Sequence, residues 1–228
     1  PDKQNNWINL TDNDFDKHET SYKHYLESRP KKWENDAVDM MISLSRKHNC
    51  ATHIVHVSSA EALENIASAK KEGLPLTAET CAHYIYFNAA DIPDGNCLYK
   101  CAPPIREKDN NVQLTLALGN GTLDFITTDH SPAPPEVKEL QSGNLKKAWG
   151  GIASLQFLLP ASWTALKDNM TLEKFIPLLT SQPAAFLKID NRKGEIKVGY
   201  DADLVIWNPE QKEKITDIYK LQKYLDDL

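Results

Sequence analysis

The chain has 228 residues, a formal net charge of −6 and a pI near 5.7, and it is long enough for one domain with a sizeable core. The acidic balance argues against a nucleic-acid-binding surface, and no apolar run approaches the roughly 20 residues of a membrane span. No secretory signal is recognisable and the four cysteines form no CxxC pair, so we expect reduced thiols in a cytoplasmic protein with no membrane or nucleic-acid partner.

Strand-like and helical segments alternate along most of the chain. Short β-branched or apolar runs predict three strands, at 52–57, 76–80 and 123–128. Helical spacing of apolar residues predicts helices at 33–47, 60–72, 108–118, 152–167 and 171–187, the last interrupted by Pro183. This alternation is typical of a parallel α/β sheet, in which the loops after the strands carry the functional residues.

Asp129 directly follows the third predicted strand and is itself followed by His130, Ser131 and Pro132. A carboxylate at the end of a buried strand is unfavourable to bury unless something compensates its charge, and a metal ion is one such compensator. Strand ends are also where barrel enzymes gather their catalytic groups. The alternative is an aspartate that caps the next turn, and Asp129 alone does not decide between the two.

His56 lies near the end of the first predicted strand, and alternation places it on the same face as Ile54. Ser59, just beyond it, is predicted to cap the following helix. Taken alone, His56 is interpreted as a hydrogen-bonded core histidine. Together with a carboxylate from a second strand end, its imidazole instead fits a metal such as zinc.

The pattern changes after residue 190. The segments 194–199 and 201–207 predict two short strands around a Gly-Tyr-Asp turn, and these indicate a small β unit over 191–215. A polar, amphipathic tail follows over 216–228. The domain organisation predicted from the sequence is therefore a main α/β unit over 1–190, the β unit and the tail.

Four motifs resemble, in the same order, those of the cyclic amidohydrolases of the hydantoinase, dihydroorotase and allantoinase group. They are HVSS at 56–59, ETCAHY at 79–84, CAPPIR at 101–106 and DHSP at 129–132. Two segments are specifically similar to the allantoinase branch, namely 129–136 and 147–153. The segment 194–205 resembles the closing β-sandwich segment of the wider superfamily.

The resemblance implies the C-terminal part of a (β/α)8 barrel, with the three predicted strands as strands six to eight, plus strands of a small β-sandwich. It implies two divalent metal ions, usually zinc, bridged by a carboxylated lysine. His56 would bind one ion, and Asp129 would bind the other and carry the proton. The substrate would contact backbone groups of Cys101, Ala102, Gly150 and Gly151. The implied reaction is hydrolytic opening of a cyclic ureide, most specifically allantoin to allantoate in purine degradation.

The family's His-x-His pair, its carboxylated lysine and the histidine of its fifth strand are absent from this sequence. By family spacing that histidine would fall just before Pro1, and the first strand-like segment appears only near residue 52. We therefore expect a fragment that is inactive alone, with the activity in the intact parent protein, a homo-oligomer (a tetramer in the family). The alternatives are a dihydropyrimidinase or hydantoinase, and a non-catalytic interaction protein with the same fold.

Three polar residues near these motifs have less certain roles. His83 is interpreted as structural, because buried histidines are more often structural than functional. Arg106 either orients the polar substrate or pairs with a neighbouring acid, Glu107 or Asp109. His130 is expected to point away from the metal if Asp129 points toward it.

Overall fold

The computed structural model describes residues 18–212, so the predicted tail at 216–228 lies outside the described residues. Three strands occur in this range, β1 (Thr52–Ile54), β2 (Leu76–Cys81) and β3 (Phe125–Thr127). The α-helices are α1 (Tyr22–Glu27), α2 (Lys31–His48), α3 (Leu63–Lys71), α4 (Ala82–Tyr86), α5 (Lys108–Asn120), α6 (Leu158–Leu166), α7 (Leu172–Phe175) and α8 (Ser181–Phe186). Single 3-10 turns lie at Ala60–Ala62, Ala89–Asp91, Cys97–Tyr99, Leu155–Phe157 and Ile176–Leu179.

The three strands form one parallel sheet in the order β1-β2-β3. Thr52 is opposite Leu76 in the first pair, and Glu79 is opposite Phe125 in the second. Each connection between neighbouring strands contains a helix, as a parallel crossover requires. The prediction of a mixed α/β fold with parallel strands is confirmed.

The first strand is shorter than predicted and ends at Ile54. The backbone of His56 has a φ of 42°, so the chain leaves the extended conformation there. Strand alternation therefore does not reach His56, and the neighbouring valines differ in environment: Val55 is 50% exposed and Val57 is 1% exposed. The predicted placement of His56 on the Ile54 face by alternation was wrong for this physical reason.

Helices pack against the sheet around one hydrophobic core. Ile66 of α3, Leu114 of α5 and Ile126 of β3 are all fully or almost fully buried. Burial of a side chain of this size contributes about 1.5–3 kcal/mol. The longest described helix, α2, turns Val38 and Ile42 inward, whereas its exposed faces carry both polar residues and the apolar Met40 and Leu44. Within residues 18–212, no helix is both long enough and apolar enough to cross a membrane.

The C-terminal helical region is more broken than predicted. The expected helix at 152–167 begins with a 3-10 turn and is α-helical only over Leu158–Leu166. The expected helix at 171–187 is divided into α7, a 3-10 turn and α8. The predicted interruption at Pro183 was wrong: Pro183 lies in the first turn of α8, where its missing amide hydrogen breaks no helical hydrogen bond. The break lies instead around Pro177, in the 3-10 turn.

The segment 191–207 contains turns and irregular backbone but no strand. Ile196, Val198 and Ile206 are 91%, 101% and 100% exposed. An extended segment becomes a strand only when its backbone pairs with another, and within residues 18–212 this one has no such pairing. The two strands predicted from alternation are therefore not observed here, and the β-sandwich stays a prediction.

Candidate active site

Three polar side chains occupy the same position after the three strands. His56, His83 and Asp129 each lie two residues beyond the last residue of β1, β2 and β3. Because the strands are parallel, these positions lie at one edge of the sheet, where α/β folds gather ligand-binding groups. The sequence prediction had named the first and third of them as metal ligands.

His56 and Asp129 also share a backbone conformation. Their φ angles are 42° and 45°, in the left-handed region that few non-glycine residues adopt. Such strained residues are each unfavourable by about 1–3 kcal/mol and occur preferentially at functional sites. The two residues predicted to bind metal therefore both carry a conformation typical of a functional site.

Cys81, His83 and Asp129 bring their potential ligand atoms within 4.8 Å of one another. Cys81 and His83 are buried, whereas Asp129 is exposed. Burial and, to a lesser extent, the nearby His56 together lower the pKa of His83 to about 3. His83 is thus a neutral imidazole that lies close to both Asp129 and His56.

Both ring nitrogens of His83 lack a hydrogen-bond partner among residues 18–212, although the residue is only 3% exposed. A buried polar group without a partner is unfavourable by about 1–3 kcal/mol, and such groups in native proteins need an explanation. A metal ion, a water molecule or a substrate amide would satisfy these atoms. These atoms make His83 a candidate member of the site, and its interpretation as a structural residue stays a prediction.

A signal for His83 was present in the sequence. It lies just beyond the second predicted strand, as Asp129 and His56 lie at the ends of theirs. If every His or Asp at or just beyond the end of a predicted strand had been treated as a candidate ligand, His83 would have been included. The general preference for structural histidines outweighed that positional signal.

A series of polar contacts connects Cys81 with His53 across the sheet. The Cys81 Sγ atom lies 3.6 Å from the Thr127 hydroxyl, which donates to the Glu79 carboxylate at 2.9 Å. The other Glu79 oxygen lies 3.2 Å from His53 Nε2. Burial raises the pKa of the Cys81 thiol well above its usual value. A protonated thiol is a weak nucleophile, so the buried Cys81 side chain is suited to packing rather than to nucleophilic catalysis.

The turn after His56 is held by a carboxylate from α2. Glu34 accepts hydrogen bonds from the backbone N–H groups of Ser58 at 2.7 Å and Ser59 at 2.8 Å, and from the Ser58 hydroxyl at 2.6 Å. The side chain of Ser59 makes no capping hydrogen bond. The predicted Ser59 cap was therefore wrong, because a carboxylate distant in sequence occupies the helix entrance.

Arg106 is part of the same buried group. Its guanidinium donates to Glu34 at 3.3 Å, to the Ser58 hydroxyl at 3.0 Å and to the Arg29 carbonyl at 3.2 Å. The residue is 3% exposed. Neither acid considered from the sequence is its partner, since the carboxylate that it contacts is that of Glu34. Arg106 stabilises the turn that carries His56.

The glycine pair at 150–151 packs against the loop after Asp129 and against the loop that contains Ala102. A Cβ on Gly151 would lie 2.4 Å from the Ser131 hydroxyl, so no side chain fits there without movement. A Cβ on Gly150 would lie 3.7 Å from the Ala102 Cβ, which is ordinary contact. The Ser131 N–H also donates to the Ile152 carbonyl at 3.0 Å. The glycines thus connect the loop after Asp129 with the loop that contains Ala102.

Cys101 is 1% exposed, and burial raises its pKa to about 12. Its thiol is therefore protonated, and its backbone carbonyl already accepts a hydrogen bond from the Tyr25 hydroxyl at 2.7 Å. His130 Nδ1 accepts hydrogen bonds from the backbone N–H groups of Ser154 at 2.9 Å and Leu155 at 3.1 Å. This imidazole nitrogen is occupied by the next loop, as expected for a side chain that is not a ligand.

The donor set at this sheet edge fits part of a divalent metal site. Imidazole and carboxylate groups are common zinc ligands, and a catalytic zinc usually has three protein ligands. His56 and Asp129 supply two such groups at equivalent strand ends. The two unpaired nitrogens of His83 show that the site has polar atoms that nothing within residues 18–212 satisfies.

Comparisons with known proteins identify the family of the chain. The model described as "Amidohydrolase family" matches residues 5–225. The chain is 41% identical to "Probable allantoinase 2" of Dictyostelium discoideum and to "Allantoinase" of Arabidopsis thaliana, each over 83% of this chain. It is similar to the solved structure of "L-Hydantoinase (Dihydropyrimidinase) from Arthrobacter aurescens", with a TM-score of 0.74 and 29% identity over 80% of this chain and 41% of that one.

The chain spans 39% of the length of each of the two allantoinases. An activity inferred from the relatives therefore concerns a whole protein of which these residues form one part.

Proposed function

The chain belongs to the amidohydrolase family, and from this we propose that the protein containing it hydrolyses a cyclic amide, most specifically allantoin to allantoate. One observation carries the proposal: His56 and Asp129 lie at equivalent positions after parallel strands, both in a left-handed conformation. The identity of 41% to two proteins named as allantoinases supports the choice of substrate.

We propose that β1, β2 and β3 are the sixth, seventh and eighth strands of a (β/α)8 barrel. The parallel sheet and the similarity to the hydantoinase structure support this. Residues 1–190 would then belong to the barrel, and residues 191–215 would supply strands to a β-sandwich. The exposed apolar side chains of 196–206 agree with a segment that pairs with further chain.

Two divalent ions, zinc in this proposal, would be held in part by His56 and Asp129, together with a carboxylated lysine expected upstream. When bound, such ions lower the pKa of water and polarise the carbonyl that is attacked. The carboxylate of Asp129 accepts a proton from the attacking water as the new C–O bond forms. It then delivers that proton to the ring nitrogen as the amide C–N bond breaks.

Substrate recognition would use backbone groups of Cys101, Ala102, Gly150 and Gly151. A cyclic ureide presents alternating N–H and C=O groups along its edge, and backbone carbonyl and N–H groups complement such an edge directly. Positions 150 and 151 are both glycine, which lets the backbone itself approach a ligand. The neutral His83 imidazole offers one further donor and one acceptor at the site.

The second candidate is a dihydropyrimidinase or hydantoinase with another ring substrate. The similarity to a hydantoinase structure favours it, with a TM-score of 0.74. The identity is lower there, at 29% against 41% for the allantoinases, so allantoin is preferred. The third candidate, a non-catalytic protein with the same fold, would have no use for the strained conformations of His56 and Asp129.

The decisive assay uses the intact protein loaded with zinc. We expect kcat/KM for allantoin to exceed that for dihydrouracil and for hydantoin by about a hundredfold or more. Asp129→Asn should lower kcat by about a thousandfold, while the exposed Asp168→Asn should leave it unchanged. A preference for dihydrouracil or hydantoin would establish the second candidate, and no hydrolysis of any of the three would establish the third.

Location and assembly are further proposals. We expect a cytoplasmic protein, which the four free cysteines support. We also expect a homo-oligomer, a tetramer in the family, without a nucleic-acid or membrane partner. Light scattering on the intact protein would measure its mass, and a monomer would refute the expected assembly.

A further inference from the structure

Lys138 is a buried lysine whose partners are backbone carbonyl groups. It is 5% exposed, and its ammonium donates to the carbonyls of Lys100 at 2.9 Å, Trp149 at 3.0 Å and Gly151 at 2.5 Å. Among residues 18–212 it makes no ion pair with a carboxylate. A buried charge is unfavourable unless it is well hydrogen-bonded, so three carbonyls gathered around one ammonium need a reason.

A second lysine holds the same segment from its other end. Lys100 is 8% exposed, and its ammonium donates to the carbonyls of Ala148 at 2.5 Å and Lys146 at 3.3 Å. The backbone carbonyl of Lys100 is in turn bound by Lys138. Two buried ammonium groups thus bind four carbonyl groups between residues 146 and 151, and they connect that segment to the start of the 101–102 loop.

These carbonyls determine which way neighbouring N–H groups point. In a planar trans peptide, the carbonyl of one residue and the N–H of the next point in opposite directions. The carbonyls of Lys100 and Trp149 face Lys138, so the N–H groups of Cys101 and Gly150 face away from it. Those N–H groups belong to the two segments proposed to contact substrate.

We propose that Lys138, assisted by Lys100, is a positioning residue that orients the backbone of both substrate-binding segments. This rests on the proposed function, which assigns substrate contacts to residues 101–102 and 150–151. Lys138 does not touch the substrate; it holds the peptide planes in the orientation that binds the ring. Because the segments bind the ring before and during hydrolysis, loss of Lys138 weakens substrate binding more than it slows the chemical step.

The test uses the intact, zinc-loaded protein with Lys138→Met, which keeps the length of the side chain and removes its charge and donors. We expect KM for allantoin to rise about tenfold and kcat to change less than about threefold, with zinc content unchanged. The exposed Lys147→Met is the matched control and keeps both constants. A folded Lys138→Met variant with the KM of the unmodified protein would overturn the proposal.

A second variant covers the case in which Lys138→Met does not fold. Lys100→Met removes the bonds to Lys146 and Ala148 and the contact of the ammonium with the Tyr25 ring at 5.5 Å, and we expect it to raise KM about threefold. An unchanged KM in that variant would overturn the proposal too.

A separate readout distinguishes this proposal from the proposed function. Absence of allantoin hydrolysis by the unmodified protein would refute the function but not the orientation of the backbone. Amide hydrogen exchange over 147–153 reports how firmly the backbone of that segment is held in place. Faster exchange in Lys138→Met than in Lys147→Met supports the proposal. Equal exchange in the two variants would contradict it.

Discussion

Glu34 accepts a hydrogen bond from the backbone N–H of Ser58 at 2.7 Å, two residues after His56. A helix residue thereby fixes the turn that carries a proposed metal ligand. The Arg106 guanidinium contacts the same carboxylate at 3.3 Å, and both side chains are largely buried, at 13% and 3% exposure. The conformation of His56 depends on this group as well as on its own strand.

Glu34→Gln should therefore destabilise the intact protein and weaken its zinc binding. The amide keeps one acceptor oxygen but leaves the buried Arg106 without a carboxylate, and breaking a buried ion pair costs about 3–5 kcal/mol. Urea unfolding and zinc titration measure the two effects. The exposed Glu64→Gln is the control and should change neither. Stability and zinc affinity equal to those of the unmodified protein would contradict the assigned role of Glu34.

His83→Phe should separate stability from activity. No hydrogen bond of the His83 ring within residues 18–212 is lost, and replacing an unpaired buried polar group by an apolar one is nearly neutral or stabilising. We expect an unchanged or higher unfolding midpoint and a kcat lowered about tenfold or more.

His130→Phe is the comparison for that variant. Its ring accepts two backbone hydrogen bonds, from Ser154 and Leu155, so its loss should lower stability by about 1–3 kcal/mol. Full activity in His83→Phe would show that His83 only fills space.

Gly151→Ala should disrupt the contact with Ser131. The added Cβ would lie 2.4 Å from the Ser131 hydroxyl and 2.9 Å from its backbone carbonyl, so the backbone must move. We expect a loss of about 1–3 kcal/mol in the free energy of unfolding. Gly150→Ala meets its nearest atom at 3.7 Å and should be close to neutral in stability. Equal midpoints for the two variants in thermal unfolding would count against the described packing.

Lys138 should make stability depend on pH in the alkaline range. Burial lowers its pKa to about 8 in the folded protein, from 10.5. Between these values the unfolded chain holds a proton that the folded protein has released, so stability rises with pH across this window. Three other titratable groups face Lys138, namely Cys97, Cys101 and Lys100. Because Lys138→Met keeps all three, a comparison of the two proteins isolates the titration of Lys138.

The difference in unfolding free energy between the unmodified protein and Lys138→Met isolates this contribution. We expect it to shift in favour of the unmodified protein by about 2 kcal/mol between about pH 8 and 10. A difference that is independent of pH would show that Lys138 keeps the same protonation in both states.

The sheet could be predicted from the sequence because each strand is a short apolar run between turn residues. Asp129 and His56 could be proposed as site residues for the same reason, since each lies at the end of such a run. The Glu34 cap and the Lys138 contacts could not be predicted, because they join residues distant in the chain. Nor could the left-handed conformation of His56, which ended the alternation expected through residue 57.

The C-terminal segment shows a different limit. The alternation at 194–207 predicted strands whose apolar side chains pack against another surface. In the structure, however, Ile196 and Val198 are exposed. Periodicity reports a preference for strand conformation, while the strand itself forms only with a pairing partner. Within residues 18–212, no strand pairs with this segment.

The most direct test is anomalous diffraction at the zinc edge from crystals of the intact, zinc-loaded protein. We predict two zinc ions, one bonded to a His56 nitrogen and one to an Asp129 oxygen at about 2.0–2.2 Å. Zinc bound instead by Cys81 and His83, with His56 outside bonding distance, would contradict the proposed site.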